Sequence, residues 1–469
     1  MVDGDGKAAR GRKGGVRPAE LAVQAVLLVL VLAIFFPGVF MHGETALPGE
    51  LLHGLAPWRG YVDGPETPGK NYATIEAYSL LYKFYTVSRI ALDAGEWPLW
   101  NHLEQTGMPL LANYQSAVLY PPRLLHAFLA LPLATTLYVL LKLWLCGFNA
   151  YILGRGIGLQ IPASRFLSIA WMAGGFCMVW AYWTPTDVAA WVPLVLLGTE
   201  WLLAGRFRRG IATLLVASPL LMLAGQPQVA FIFALGLGVY ALLRLATDAT
   251  ARQRMPAKIL GFGAAWGFAV LASMAQVLPF LEYLSHAADV KTRMGLDIEQ
   301  FSYLPSSVVG LWVPRFFGTD IEGNYWYDAL NPTYVGMLYA GIVVWVCFPC
   351  AFLGDAGLNA NRRRAIALAV TGAAFALLAW QHPALGFIYE LPVLSSVRPA
   401  YFTAFALFVL PVLAAIGVNR WTQIRPGLRA LAPSLAVLAL MGLGAGALFM
   451  FQRSTLAMEG LDDFVLRRL

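Results

Sequence analysis

Charge is scarce in this chain. Asp, Glu, Lys and Arg together make up 13% of its 469 residues, against about 25% in soluble proteins. So few charges cannot keep a chain of this length in water, which excludes a soluble enzyme and a disordered regulator. Cysteine is sparse as well: four in the whole chain make no disulfide framework. Cys347 and Cys350 spell a CxxC, but within an apolar run and with no second Cys or His pair to complete a zinc site. There is no Gly-rich nucleotide loop, metal-binding helix motif or nucleophile elbow. Chemistry on a nucleotide sugar held by a cytoplasmic domain is therefore not expected. Apart from the basic N-terminal stretch, low-complexity tracts are missing too, and no repeat of fixed period runs through the chain.

What fills the chain is hydrophobic: 59% by composition, with a mean hydropathy of +0.63. A helix needs about 20 mostly apolar residues to cross the hydrocarbon core. Such runs recur near 21–41, 132–153, 164–183, 187–204, 210–225, 227–246, 259–284, 333–354, 365–380, 397–418 and 430–451. The first lacks a small-residue cleavage site and is too long for a signal peptide, so it reads as an uncleaved membrane helix.

The net charge of +7 invites a nucleic-acid reading until the basic residues are located. Twenty of the 33 lie in the N-terminal tail (Lys7, Arg10, Arg12, Lys13, Arg17) or in short connections after alternate spans, such as Arg206–Arg208–Arg209 and Arg362–Arg363–Arg364. Twelve are spread thinly over much longer segments, and Lys142 falls within a span. Dense basic connections mark the cytoplasmic side. The charge is thus a topology signal, and no nucleic-acid partner is expected. The expectation is an all-α polytopic membrane protein with about 11 transmembrane helices, its N-terminus in the cytoplasm and the lipid bilayer as its first partner. A basic tail covers 1–20, a single transmembrane domain 21–451, and a short tail 452–469. Within the domain, outer loops cover 42–131 and 285–332, and a shorter one about 381–396.

Residues 73–94 predict an amphipathic interfacial helix. Ala77, Leu80, Leu81, Phe84, Val87 and Ala91 recur at three- and four-residue steps, while Glu76, Ser79, Lys83, Thr86 and Asp93 fall opposite. Tyr72, Tyr78, Tyr82 and Tyr85 add rings suited to the headgroup level. This helix is either a membrane-anchored brace or the carrier of a carboxylate to the mouth of a cavity. Beyond it, Trp100, Asn101, Asn113, Gln115 and Tyr120 stand among Pro and Gly residues that force an irregular path. Flat rings and amides suit sugars, although Trp and Tyr also collect at membrane interfaces.

The run from Asn71 to Pro122 resembles the first outer loop of the YfhO-type family of bacterial membrane proteins. An acidic residue, Glu76, is followed by Gly95–Glu96–Trp97–Pro98–Leu99–Trp100–Asn101, Gly107–Met108–Pro109, Asn113–Tyr114–Gln115 and Tyr120–Pro121–Pro122. Ala224–Gly225–Gln226–Pro227–Gln228 comes next, then Leu304–Pro305–Ser306–Ser307, Val313–Pro314–Arg315–Phe316–Phe317–Gly318 and Val397–Arg398–Pro399. The matches extend over about 71–420. Each motif is short, and it is their order that is specific. The resemblance implies a GT-C-type glycosyltransferase of the bacterial cytoplasmic membrane with its active face outward. Such an enzyme moves a sugar from a polyprenyl-phosphate carrier to a cell-envelope polymer or protein acceptor. Two departures stand out: family members run longer than this chain, which ends at Leu469, so a short form or a fragment is expected; and Glu76 stands where the family has Asp.

Transfer of a glycosyl group from such a carrier needs a base for the acceptor hydroxyl and positive charge for the departing phosphate. Glu76 is the first choice of base. Asp63, in Val62–Asp63–Gly64–Pro65, is the second, although Asp–Gly beside Pro is also ordinary turn chemistry. Asp187, after Pro185, either caps a helix or faces the same cavity. Glu282 and His286 stand near the outer end of another span. Arg398 and Arg315 lead for the phosphate, because a guanidinium binds phosphate through two parallel bonds; snorkelling to headgroups is the alternative. Gln226 and Gln228 either bond sugar or phosphate or cap their turn. Lys142 must find a partner inside the membrane, and Glu200 is one available carboxylate. No cofactor is expected; a divalent metal would have only Asp320 and Glu322 close together. A lipid-carrier flippase and a non-catalytic member of the same fold are the alternative functions.

Overall fold

The computed structural model describes residues 17–54, 72–104, 106–286, 303, 305–318, 334, 336–353, 360–424 and 432–458. Among these residues the regular structure is helical apart from one two-stranded ribbon, in which Trp100–Asn101 pairs antiparallel with Met108–Pro109. Among the described residues seven helices are long and apolar enough to cross a membrane, or eight if a helix pair bent by 79° counts as one span. The chain is a multi-pass membrane protein.

The spans are α1 (Pro18–Phe35), α2 (Leu131–Gly156), α3 (Pro185–Leu203), α4 (Pro227–Thr247), α5 (Met255–Ala272), α6 (Pro399–Gln423) and α7 (Ala432–Met450). At about 1.5 Å per residue, the 26 residues of α2 exceed the thickness of the hydrocarbon core. In α3 and α6, 83% of the most apolar 18-residue window is buried, against 11% in α7. The protein core therefore runs along α3 and α6, while α1, α5 and α7 turn most of their apolar surface outward. Close approach depends on small residues. Gly198 of α3 faces Gly210 of the Phe207–Leu223 helix, and a Cβ added at Gly210 would fall 2.7 Å from the Leu202 backbone nitrogen.

Among the described residues seven or eight of the expected eleven spans are found. The 164–183 run is a helix of 12 residues, Ile161–Met172, then a break at Gly174 and a single turn, Gly175–Val179. The 259–284 run divides into α5 and Met274–His286, parted at Ser273. The 210–225 run falls on the 17-residue helix Phe207–Leu223, and the described residues of the 333–354 run include the short apolar helix Ile342–Phe352. The 365–380 run continues past a sharp bend into Pro383–Glu390. Hydropathy detects burial, and burial against neighbouring helices reads the same as burial in lipid.

A second expectation also fails. Lys142 does not pair with Glu200. Glu200 is held by Arg244 at 2.5 Å and Arg364 at 2.6 Å, with Tyr240 donating to the same carboxylate. This buried cluster lies toward the arginine-rich end of the bundle. Lys142 lies toward the opposite end, where the chain between α1 and α2 folds over the helices, and pairs there with Asp187.

Candidate functional site

The segment before α2 forms as its periodicity predicts, with one local departure. Tyr72–Ile75 is a 3-10 turn, Ala77–Tyr82 is a widened π turn, and Lys83–Asp93 is α-helical. Ala77, Leu81, Phe84, Tyr85 and Val87 are buried, so the apolar face packs onto protein. Single π turns are enriched at functional positions, and this one begins directly after Glu76. The Glu76 side chain is exposed. Its Oε2 accepts a hydrogen bond of 3.1 Å from Trp183 Nε1, and its other oxygen has no hydrogen bond among the described residues.

Trp183 precedes α3, in the run Trp180–Ala181–Tyr182–Trp183. Its carbonyl accepts from Lys142 Nζ at 3.0 Å. Lys142 Nζ also lies 3.2 Å from Asp187 Oδ2, with both side chains almost wholly buried, and 4.7 Å from the centre of the Tyr138 ring. Asp187 Oδ1 and the Tyr138 hydroxyl are buried without hydrogen-bond partners in good geometry among the described residues. The helix-cap role expected for Asp187 is absent, since α3 has no side-chain cap.

From Trp183 a run of rings leads to Arg398. Trp183 meets Trp180 edge-on with centroids 5.5 Å apart. Trp180 lies 5.6 Å from Tyr334, and Tyr334 lies 5.6 Å from Tyr401. Arg398 donates to the Tyr334 hydroxyl at 2.9 Å. Tyr334 in turn donates to the Tyr401 hydroxyl at 3.3 Å, which also accepts from Gln226 Nε2 at 3.1 Å. Gln228 Nε2 donates to the Ser396 carbonyl at 3.1 Å. The two glutamines thus tie the start of α4 to the segment that presents Arg398. Glu76 and Arg398 stand at the two ends of one aromatic run.

A second polar group underlies the helix that follows Glu76. The Arg123 guanidinium lies 3.6 Å over the Tyr85 ring and donates to His126 Nδ1 at 3.1 Å. His126 Nε2 lies 3.3 Å from Thr135 Oγ1, whose own proton goes to the Leu131 carbonyl. Nε2 therefore carries the imidazole proton and Nδ1 accepts. Burial first, and the Arg123 charge second, push the His126 pKa down to about 2. Burial raises the Tyr85 and Tyr114 phenols to about 12.

Several residues expected to face substrate are engaged in the loop's own structure. Asn101 is fully buried; its amide donates to Glu104 and its carbonyl accepts from Leu103 N. Asn113 accepts from Gln115 N and caps a 3-10 turn. Tyr120 is buried and its hydroxyl accepts from Trp191 Nε1 at 2.8 Å. The Trp100 ring covers Gly107, which adopts a positive φ of 99°, and stays partly exposed. The Gln115 side chain is half-buried with no hydrogen bond of its own among the described residues.

Glu282 and His286 are exposed on Met274–His286, where His286 Nδ1 turns back to the Glu282 carbonyl. Arg315 is exposed in a left-handed turn with φ 58°. Among the described residues no hydrogen bond, ion pair or ring contact joins these three to the aromatic run. Asp63 lies outside the described residues, as do Asp320 and Glu322. Four residues of the run, Trp180, Trp183, Tyr334 and Tyr401, were not singled out for a site from sequence. The signal in the sequence is the cluster Trp180–Ala181–Tyr182–Trp183, which falls at the end of the apolar run 164–183.

No family model matches the chain, and no curated protein does. Among solved structures, the mycobacterial arabinofuranosyltransferase AftD, in its R1389S mutant, is 14% identical with a TM-score of 0.47 in one class and 15% identical with a TM-score of 0.44 in another. The alignment covers 92% of this chain but only 28% of AftD. This chain thus spans less than a third of that protein's length, and a likeness so distant carries neither fold family nor activity across.

Proposed function

We propose that the protein is a GT-C-type membrane glycosyltransferase that takes a sugar from a polyprenyl-phosphate carrier and passes it to a cell-envelope or protein acceptor. The observation that carries this reading is the placement of an exposed, anchored carboxylate, Glu76, and a guanidinium, Arg398, at the two ends of one aromatic run. The ordered motifs that resemble the YfhO-type family support it, since both residues belong to them.

In the proposed reaction the acceptor hydroxyl oxygen attacks the anomeric carbon and Glu76 takes its proton. The bond from the anomeric carbon to the carrier phosphate breaks, and its electron pair leaves with the phosphate oxygen. Arg398 stabilises that charge in a setting poorer in water than bulk solvent, where such an interaction counts for more. Trp180, Tyr334 and Tyr401 are buried and form the frame between the two groups. The face that does this work is the outer one, because the basic connections between helices gather at the opposite end.

The test is formation of a glycosidic product by the purified protein in lipid nanodiscs, supplied with a panel of polyprenyl-phosphate sugars and envelope acceptors. Product bound to acceptor supports the reading. Movement of carrier across a vesicle membrane with no new bond would replace it with the flippase.

A further inference from the structure

We infer that Trp183 is the positioning residue for Glu76, and that the buried Lys142–Asp187 pair anchors Trp183 from below. This rests on reading Glu76 as the base. A glutamate side chain on an exposed helix face has three rotatable bonds and no reason to hold one direction. Here a single indole N–H fixes one oxygen and leaves the other open to an incoming hydroxyl. The indole belongs to a segment 107 residues away and is itself almost buried, so its place is set by packing outside the helix that carries Glu76. Its backbone is fixed in turn, because Lys142 Nζ reaches both the Trp183 carbonyl and the Asp187 carboxylate. A buried ammonium is costly unless its protons are used. Spending one of them on that particular carbonyl ties the location of the ion pair to the location of the indole.

Packing of the Trp183 ring against Trp180 does not need the N–H, so the two roles of this side chain separate experimentally.

The experiment compares parent and Trp183→Phe, which keeps an aromatic ring and deletes the donor. Infrared difference spectra at one fixed pH, referenced to Glu76→Gln, isolate the Glu76 carboxylate stretches without any substrate. The expected result is a displaced band in Trp183→Phe, because the carboxylate loses its indole donor. Transfer should slow with it, kcat falling several-fold and the KM for carrier unchanged. The double variant Lys142→Gln/Asp187→Asn leaves no unpaired charge and keeps the indole. It is the second probe should Trp183→Phe not assemble, and the same band is expected to move. An unmoved band in the variant that folds overturns the inference. A displaced band in Trp183→Phe together with a parent that transfers no sugar overturns the reading of function and leaves the positioning intact.

Discussion

Lys142 Nζ lies 3.2 Å from Asp187 Oδ2, and neither side chain retains more than 1% of its surface exposed. The contact joins two neighbouring spans, α2 and α3. Removing either partner leaves an uncompensated charge in a medium of low dielectric, which costs about 3–5 kcal/mol. Lys142→Met or Asp187→Leu alone should therefore lower the unfolding midpoint sharply in detergent. The double variant should recover most of the loss, and thermal unfolding of the four proteins checks this. Equal stability of the single variants would mean that water reaches the pair.

Acid should weaken the segment over α2 through His126. Its folded pKa of about 2 lies below the ordinary 6.5. Between those values the unfolded chain binds a proton that the folded one refuses, so stability falls as pH drops below about 6.5. His126→Asn should flatten that dependence between about pH 6.5 and 5. Unfolding midpoints at several pH values compare the two proteins, and parallel curves would contradict the assignment.

At the arginine-rich end the account ranks two carboxylates. Glu200 is buried between Arg244 and Arg364, whereas Glu20 meets Arg155 at a partly exposed site. Glu200→Gln should cost several-fold more stability than Glu20→Gln, since solvent screens the latter. A matched pair of denaturation curves decides it.

Arg398 should tolerate lysine poorly. Lysine retains the charge but loses the planar fork that bonds Tyr334 and matches phosphate. Arg398→Lys should raise the KM for carrier and lower kcat/KM by about tenfold or more, with Arg398→Ala worse, as expected when a charged hydrogen bond is lost. Steady-state kinetics over a range of carrier concentrations tests it. Unchanged kinetics in Arg398→Lys would remove Arg398 from the phosphate role.

Much of this was legible in sequence, for physical reasons that also mark where reading failed. The period of Ala77, Leu81, Phe84 and Val87 found the surface helix, because burial of one face imposes a helical repeat. Glu76 stands out through its place on the surface helix and in the YfhO-type pattern, and Arg398 through its place at the outer mouth of a span. The partner of Lys142 was missed because an ion pair across helices depends on helix register, which no local spacing encodes. The rings between Glu76 and Arg398 were missed for a related reason: Trp180, Tyr334 and Tyr401 come from three separate segments, and each alone looks like an interfacial aromatic. The span count departs at 164–183, where Gly174 breaks the helix within an apolar run, and at 210–225 and 333–354, whose described helices are short.

The central claim is that Glu76 is the base. The measurement that tests it most directly is the rate of product formation by the parent and by Glu76→Gln in the same nanodiscs, with carrier binding measured alongside. The account predicts that the variant binds carrier as the parent does and forms product about 10²–10⁴-fold more slowly, the range expected for loss of a general base. Product formation at the parental rate by Glu76→Gln would contradict it.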